Sequence, residues 1–430
     1  MIQHAPWFEE ARFGMFVHWG LYALPARHEW VMNKEETTAE EYAKYFQRFD
    51  PDLYDPQAWA RAAREAGMKY VVLTTKHHEG FCLWDSALTD YKSTNTPAGR
   101  DLVATYVEAL RAEGLKVGFY HSLIDWHHPD FTVDGVHPQR SAGNVAELNA
   151  GRDMGRYRDY LHGQVRELLS NYGTIDYLFF DFSYSDANPD EFWGGKGKKD
   201  WGSEELLAMV RELQPGIVVN DRLDIPGHFV TPEQYQPAGP MLVEGKPVVW
   251  EACQTLNGSW GYDRDNLNYK SVDLLIRMLV DGVSKGGNLL LNVGPTARGN
   301  FDPRAEASLQ GIGEWMHLHG RSIYGAGPSS LTPPADARYT QRGDRLYVHL
   351  FAWPFEFAHL PGLAGKVEYA QLLNDASEVF IQDNDSGQEA YNTTPGAQPA
   401  GTLTIKLPVQ RPDVAVPVLE LFLKSGATGA

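Results

Sequence analysis

The stretch that decides the fold is TIDYLFFD, residues 174–181, in which a strongly apolar run ends in an aspartate. Comparable apolar runs recur along the first 325 residues. They are FGMFVHWG (13–20), KYVVLTTK (69–76), LKVGFYHS (115–122), GIVVND (216–221), PVVWEAC (247–253) and NLLLNVGP (288–295). Amphipathic stretches with helical spacing separate them. Because apolar strands that alternate with helices form parallel sheets covered on both faces, the sequence predicts a (β/α)8-like barrel.

An open dinucleotide-binding sheet is disfavoured, since no G-x-G-x-x-G follows the first strand. The character of the chain changes after SSLTPPADA (329–337), which is typical of a linker. The following β-rich runs are RLYVHLFAW (345–353), KVEYAQLL (366–373), SEVFIQD (377–383), TLTIKL (402–407) and VPVLELFLK (416–424). They predict a small antiparallel β-sandwich. We therefore expect a catalytic barrel at 1–328 and a C-terminal sandwich domain at 329–430.

The composition excludes several classes of protein. The 430 residues carry 38 Lys and Arg against 56 Asp and Glu, a formal net charge of −18, which disfavours a nucleic-acid partner. The two cysteines, Cys82 and Cys253, match no zinc or disulfide pattern. No signal peptide and no membrane-spanning run is evident. We expect a cytoplasmic protein without a membrane partner, and the sequence leaves the oligomeric state open.

The active site of such a barrel is built at the carboxyl ends of its strands. The polar or aromatic residues at these positions are therefore the candidates. They are His18 and Trp19, His77 and His78, His121 with Asp125 and Trp126, Asp181, Asn220 with Asp221 and Arg222, and Glu251.

Asp181 is the strongest candidate, because YLFF before it gives a carboxylate at that position a heavy desolvation cost. A helix cap is the alternative interpretation. Adjacent histidines on a strand point to opposite faces, so His77 and His78 suit hydrogen bonding better than metal binding. Four tryptophans accompany the polar groups, namely Trp19, Trp84, Trp126 and Trp260. Aromatic rings interleaved with polar groups are typical of a sugar pocket.

Eight motifs carry a family resemblance. They are FGMFVHWGLYALP followed by HEW, KYVVLTTKHHEGFCLWDS, GFYHSLIDWH, DYLFFD, VVNDR, TPEQY, WEACQTLNGSWGY and SKGGNLLLNVGPTARG. In this order, over about residues 7–325, they resemble the α-L-fucosidases of glycoside hydrolase family 29. The resemblance implies hydrolysis of terminal α-L-fucosyl bonds of fucosylated glycans with retention of configuration, through a covalent fucosyl-enzyme intermediate. It implies neither a cofactor nor a metal.

Two other functions remain as alternatives. One is a related retaining barrel glycosidase that acts on α-L-galactosides, which differ from fucosides at C6. The other is a fucose-binding protein that has lost its chemistry.

The resemblance assigns the nucleophile to Asp181, with Phe179 standing where the family usually has Trp. For the acid/base it leaves two glutamates, Glu233 in TPEQY and Glu251 in WEAC. We favour Glu233, on the loop after the fifth strand and 52 residues after Asp181. Glu251 would then lie at the barrel mouth as a sugar ligand or a group that tunes the pKa of the acid.

The resemblance also implies the fucose contacts. These fall on His18, Glu29, Trp30, His77, His78, Arg222 and Trp260, while Tyr120 and His121 compete for one more contact. Since fucose lacks a 6-hydroxyl, we expect Trp260 and Phe179 to form an apolar wall against its methyl group. Linkage preference would depend on the loops 183–202 and 225–247.

Overall fold

The computed structural model describes residues 5–185, 195–383 and 398–426, so residues 186–194 of the loop 183–202 lie outside the described part. The strands are β1 (Phe13–Val17), β2 (Tyr70–Lys76), β3 (Lys116–Ser122), β4 (Tyr177–Asp181), β5 (Val218–Val219), β6 (Leu242–Val243), β7 (Lys246–Pro247), β8 (Trp250–Thr255), β9 (Gly287–Val293), β10 (Ala337–Arg342), β11 (Arg345–Leu350), β12 (Phe357–Leu360), β13 (Val367–Leu372), β14 (Phe380–Asp383), β15 (Leu403–Lys406) and β16 (Val418–Leu423).

The helices alternate with the barrel strands. They are α1 (Pro6–Ala11), α2 (Val31–Lys34), α3 (Ala39–Phe46), α4 (Pro56–Glu65), α5 (Leu102–Ala112), α6 (Val145–Asn149), α7 (Met154–Asn171), α8 (Lys198–Trp201), α9 (Ser203–Leu213), α10 (Val272–Ser284) and α11 (Pro303–His319). Side chains that precede several of them accept a hydrogen bond from the first turn and so fix where each helix begins. These caps are Thr38, Asp55, Asp101, Asp153, Ser271 and Asp302.

Seven strands form one parallel sheet in the order β5-β4-β3-β2-β1-β9-β8. The two edges of this sheet, β5 and β8, are joined by an extended stretch at 229–233, which we call the closing segment. Asn220, directly after β5, bridges Phe229, and the closing segment then bridges β8 through Val230 with Trp250 and Glu233 with Cys253. All of these bridges are parallel. The predicted (β/α)8-like barrel is confirmed, with the closing segment in the eighth position.

The strands bury both faces, as their continuous apolar sequences require. Inside the barrel, one apolar cluster contains Phe16, Tyr70, Val72, Tyr120, Tyr177, Phe179, Val218, Cys253 and Leu290, together with Phe8 of α1. The alternate residues of the same strands pack outward against the helices, among them Met15, Val17, Val71, Leu73, Val117, Phe119, Leu178 and Phe180. This two-residue alternation places Asp181 on the inner face, in line with Tyr177 and Phe179.

The C-terminal part contains the predicted antiparallel sheets. One has the order β10-β11-β16-β13 and the other β12-β15-β14, with a separate apolar cluster between them. Val416 and Val418 belong instead to the cluster outside the barrel, and Val416 accepts a hydrogen bond from the Trp315 indole at 2.9 Å. The barrel and the sandwich therefore share a continuous apolar interface. The domain boundary at residue 328 stays a prediction.

Cys82 and Cys253 are both buried free thiols. Among the helices in the described ranges, none combines the length and the apolar character needed to cross a membrane.

Candidate active site

A pocket opens at the carboxyl ends of the barrel strands. It encloses about 140 Å³, small beside the roughly 300–1,000 Å³ of sites for drug-sized ligands. Its walls are Phe16, His18, Trp30, His77, His78, Tyr120, Phe179, Asp181, Phe182, Arg222, Glu233, Cys253 and Trp260. A pocket of this size, with aromatic and charged walls, suits one small polar ring.

Asp181 ends β4 and its side chain is only 14% exposed. Its two carboxylate oxygens accept separate hydrogen bonds, from the Tyr120 hydroxyl at 2.8 Å and from the Arg222 guanidinium at 2.7 Å. Burial and the neighbouring Asp181 raise the pKa of Tyr120 well above its usual value, so Tyr120 stays a donor. These two hydrogen bonds hold the carboxylate in a fixed orientation in the pocket.

Arg222 also donates a hydrogen bond to Glu233, at 2.6 Å. Burial alone would lower the pKa of Arg222, but the charges of Asp181 and Glu233 outweigh burial and raise it. Glu233 ends the closing segment, and its side chain is 39% exposed. One guanidinium therefore joins a nearly buried carboxylate and a more accessible one in a single pocket.

Two of the pocket histidines have assignable tautomers. The Ser122 hydroxyl donates to the Ile124 carbonyl, so it accepts from Nδ1 of His78 at 2.7 Å. In the same way, the Asn292 amide donates to Trp260 and accepts from Nδ1 of His18 at 2.7 Å. Burial, followed by the charge of His77, lowers the pKa of both rings well below the usual value. Each neutral ring keeps an Nε2 lone pair to accept a hydroxyl proton.

Phe179 and Trp260 both line the pocket, and the ring of Phe16 contacts each of them. Its ring centroid is 5.1 Å from that of Phe179 and 5.9 Å from that of Trp260. Sequence reasoning missed Phe16 because it lies inside an apolar run. Its position in the sequence could have identified it as a pocket residue, because Phe16 lies two residues before His18 and therefore faces the same way.

Phe182, directly after Asp181, was also missed. Its backbone is left-handed, with φ of 80°, and its ring contacts Trp30 and His78 at centroid distances of 5.1 and 5.0 Å. Gln234, directly after Glu233, is left-handed as well, with φ of 58°. Such strain in residues with a Cβ is held only by the surrounding structure and clusters at functional sites.

Glu29 lies behind the pocket rather than in its wall. Its carboxylate accepts hydrogen bonds from the backbone N–H groups of Trp260 at 3.1 Å and Gly261 at 2.8 Å. The described contacts of Glu29 thus fix the loop that carries Trp260. Whether Glu29 also touches the sugar stays a prediction.

His121 does not line the pocket, so its prediction as a competing sugar contact is wrong. It is fully buried on the outer face of β3, beside the Thr75 hydroxyl at 3.3 Å and the Trp84 ring. Because neighbouring residues on a strand face opposite ways, Tyr120 is the one that lines the pocket.

The predicted position of Glu251 is also wrong. Glu251 is the second residue of β8 and lies at the amino-terminal end of the barrel, where it accepts hydrogen bonds from Tyr70 and Tyr177. Burial raises its pKa to about 7, against the opposing effect of the two hydroxyls. The sequence analysis placed the end of this strand too early, because the strand continues to Thr255. Cys253, two residues further along the same face, lines the pocket instead.

The remaining candidates at the strand ends serve the fold. Trp19 and Trp84 belong to the core, and Asp125 pairs with the buried Lys76 at 3.2 Å. Asn220 hydrogen-bonds both backbone groups of Phe180. Trp126 packs behind Trp30 at a centroid distance of 5.2 Å. Over the described residues, no three or more His, Cys, Asp or Glu side chains are grouped as metal ligands.

Comparisons with known proteins agree with this geometry. Residues 2–321 match the family model described as alpha-L-fucosidase. The tissue alpha-L-fucosidase of Bos taurus is 30% identical over 378 residues, which cover 81% of this chain and 75% of that protein.

Solved structures include alpha-L-fucosidase isoenzyme 1 from Paenibacillus thiaminolyticus. It is 49% identical, with a TM-score of 0.90, over 97% of this chain and 98% of that one. An alpha-L-fucosidase GH29 from Bacteroides thetaiotaomicron, trapped as a covalent intermediate with 2-fluoro-fucosyl fluoride, is 28% identical, with a TM-score of 0.83, over 98% and 96% of the two chains. The family model spans most of the barrel and the relatives extend beyond it. This chain belongs to the alpha-L-fucosidase family, glycoside hydrolase family 29.

Proposed function

We propose that Asp181 is the nucleophile and Glu233 the acid/base of this retaining alpha-L-fucosidase. The observation that carries the proposal is the guanidinium of Arg222, which hydrogen-bonds one oxygen of each carboxylate inside one small pocket. Retaining glycosidases need two carboxyl groups about 5–5.5 Å apart on opposite sides of the reacting bond. Glu251, buried at the other end of the barrel, lacks access to that bond.

In the first step, an oxygen of Asp181 attacks C1 of the fucosyl ring while the glycosidic bond breaks. Glu233 gives its proton to the departing oxygen, so the leaving sugar departs as a neutral alcohol. In the second step, Glu233 takes a proton from water, which attacks C1 and releases Asp181 as a carboxylate. The Tyr120 and Arg222 hydrogen bonds stabilise that carboxylate when it leaves.

The substrate is proposed to be a terminal fucosyl residue of a fucosylated glycan. The small pocket admits a single ring, and Phe16, Phe179 and Trp260 offer an apolar surface for the methyl group at C6. The Nε2 lone pairs of His18 and His78 can accept hydrogen bonds from the hydroxyl groups of the sugar ring. The relative trapped with 2-fluoro-fucosyl fluoride supports both the sugar and the covalent intermediate.

The first test is Asp181→Ala. It should lower kcat on 4-nitrophenyl α-L-fucoside by several orders of magnitude, because the nucleophile makes the bond that replaces the glycosidic one. Azide should restore turnover and give the β-fucosyl azide. Asp176→Ala is the matched control, since Asp176 lies just before the same strand and pairs with Lys116 at the surface. Near-parental activity of Asp181→Ala would refute the assignment.

The second test separates the two glutamates. Glu233→Ala should lose most activity on fucosyl disaccharides and much less on aryl fucosides, whose leaving groups need little protonation. Azide should intercept the intermediate and give the α-fucosyl azide. Glu251→Ala should affect both substrate types equally. A leaving-group dependence in Glu251→Ala and its absence in Glu233→Ala would reverse the assignment. The α-L-galactoside analogue, measured in parallel, reports whether the apolar wall selects the 6-deoxy sugar.

A further inference from the structure

We propose that Glu79 is a positioning residue for the fucosidase reaction. Its carboxylate holds Nδ1 of His77, so that Nε2 of the same ring faces the sugar. The inference deepens the proposed function, since it rests on His77 as a wall of the fucose pocket.

The two side chains face each other in the protein interior. Nδ1 of His77 lies 3.5 Å from an oxygen of Glu79, and the side chains are only 3% and 2% exposed. Within the part of the chain that the structure describes, neither of these two atoms has a hydrogen-bond partner. Buried polar atoms in native proteins are almost always paired. An imidazole N–H and a carboxylate oxygen complement each other, so each atom supplies the partner that the other lacks.

Among the described residues, no lysine or arginine forms an ion pair with Glu79. Tyr22, Tyr42 and Tyr91 are the groups whose titration Glu79 influences, and all three are neutral donors. In the described ranges, His77 is the one basic side chain found within 4.0 Å of the Glu79 carboxylate. Space for the carboxylate depends on Gly20, where an added Cβ would lie 3.0 Å from Oε1 of Glu79. A buried carboxylate without a partner is costly, which ties Glu79 to His77.

The His77 ring is already confined by its neighbours. It stacks on Tyr120 at 5.6 Å with an interplanar angle of 16°, and its centroid lies 4.0 Å from that of His78. Packing fixes the plane of the ring but does not distinguish its two nitrogens. The carboxylate of Glu79 makes that distinction, because it requires a proton on Nδ1.

The same design holds the other two histidines of the pocket. His18 is anchored through Nδ1 by Asn292, and His78 through Nδ1 by Ser122. With Nδ1 engaged in this way, each of the three rings has Nε2 left to bind the sugar. Behind Nδ1, His77 has a carboxyl group, whereas His18 has an amide and His78 a hydroxyl. A hydroxyl that binds at Nε2 of His77 is therefore held in a fixed position.

The test compares Glu79→Gln, which keeps a hydrogen-bond acceptor, with Glu79→Met, which keeps the bulk and loses the acceptor. Glu79→Met should lower kcat/KM on aryl fucosides by about 10–100-fold, the scale of the loss when the group behind a metal-ligating histidine is removed. Glu79→Gln should recover most of that loss. In the enzyme labelled with ¹⁵N-histidine, the His77 signals should show the Nδ1–H tautomer in the parent and in Glu79→Gln, and a mixture in Glu79→Met.

A double-mutant cycle then distinguishes positioning from a general structural role. If Glu79 acts through His77, Glu79→Met should have little further effect in the His77→Gln background. Equal losses in both backgrounds, or an unchanged His77 tautomer in Glu79→Met, would overturn the inference. The proposed function is tested separately, and an active Asp181→Ala variant would refute it. An inactive Asp181→Ala together with no coupling between positions 79 and 77 would reject the role of Glu79 alone.

Discussion

Glu251 is a fully buried carboxylic acid between Tyr70 and Tyr177, and burial raises its pKa to about 7. In an unfolded chain the pKa of Glu is about 4.3. Above that pH, the unfolded chain releases its proton while the folded chain keeps it, so the folded state loses stability as the pH rises toward 7. Above 7 both states are ionised and the loss is complete.

Glu251→Gln should remove this pH dependence, because the amide is neutral in both states. The difference in the free energy of unfolding, variant minus parent, should rise by about 3 kcal/mol from pH 4 to pH 8. Urea denaturation at a series of pH values measures the difference. Tyr177→Phe is the control that keeps the carboxyl group. A difference between Glu251→Gln and the parent that stays constant with pH would contradict the buried acid.

The sequence predicts pocket residues well where a polar residue directly follows a long apolar run. Asp181, His18, His77 and His78 follow long apolar runs, and they line the pocket. The sequence fails where the answer depends on the position within a strand. Glu251 and His121 are polar residues near the ends of apolar runs, yet one lies at the start of its strand and the other on its outer face. A shift of one or two residues along the strand decides both cases.

At the scale of elements, the closing segment carries Glu233 into the pocket. Gly227 precedes it and crosses over the end of β5 so closely that an added Cβ would lie 2.1 Å from the carbonyl oxygen of Asn220. Backbone cannot move away as a flexible side chain can. Any side chain at position 227 must therefore displace the closing segment, and Glu233 with it.

Gly227→Ala should lower kcat more on fucosyl disaccharides than on aryl fucosides, because the displaced carboxyl group protonates the leaving oxygen poorly. The loss should reach roughly 10²-fold, the scale of a misplacement by about 1 Å. Gly239→Ala in the same loop is the matched control, since nothing lies within 4 Å of its added Cβ. Equal losses on both substrates would show that the substitution acts on stability and not on Glu233.

The sequence predicted seven strands but not the closing segment. FVTPE is short and contains Pro232, which disfavours a central strand. Only isolated bridges pair it with β5 and β8, and these pairings depend on how the sheet curves. A local sequence pattern does not predict these bridges, because the residues that pair are far apart in the chain.

At the scale of the whole molecule, the barrel and the sandwich meet around two buried histidines. Burial lowers the pKa of His319 to about 4 and that of His349 to about 3. His319 packs on Trp315, and His349 contacts the Thr340 hydroxyl at 2.9 Å. In the unfolded chain both would bind protons below about pH 6.5. The folded molecule therefore loses stability as the pH falls from about 6.5 toward 4.

His349→Gln should reduce the steepness of this loss while keeping a polar atom near Thr340. Each proton taken up only by the unfolded chain contributes a slope of about 1.4 kcal/mol per pH unit, and the variant should lose one such contribution. Denaturation between pH 6 and pH 4.5 measures the slope whatever the absolute stability of the variant. A slope equal to that of the parent would show that His349 is charged in the folded molecule.

The order of barrel and sandwich follows from the change of pattern after SSLTPPADA, and it is confirmed. The interface between them could not be predicted in the same way. It depends on residues such as Trp315 and Val416, which lie 101 positions apart and carry no local signal of their contact. Local sequence periodicity predicts the fold of the barrel and that of the sandwich, whereas the interface between them depends on long-range packing.

Arg222 has a consequence for the order of events in the proposed reaction. Before the reaction, the Arg222 guanidinium hydrogen-bonds the carboxyl groups of both Asp181 and Glu233. In the proposed intermediate, Asp181 is an ester and carries no charge, so Glu233 remains as the acidic partner of Arg222. In the proposed reaction, Arg222 thus passes from dividing its hydrogen bonds between two carboxyl groups to serving one, and that change marks the formation of the intermediate.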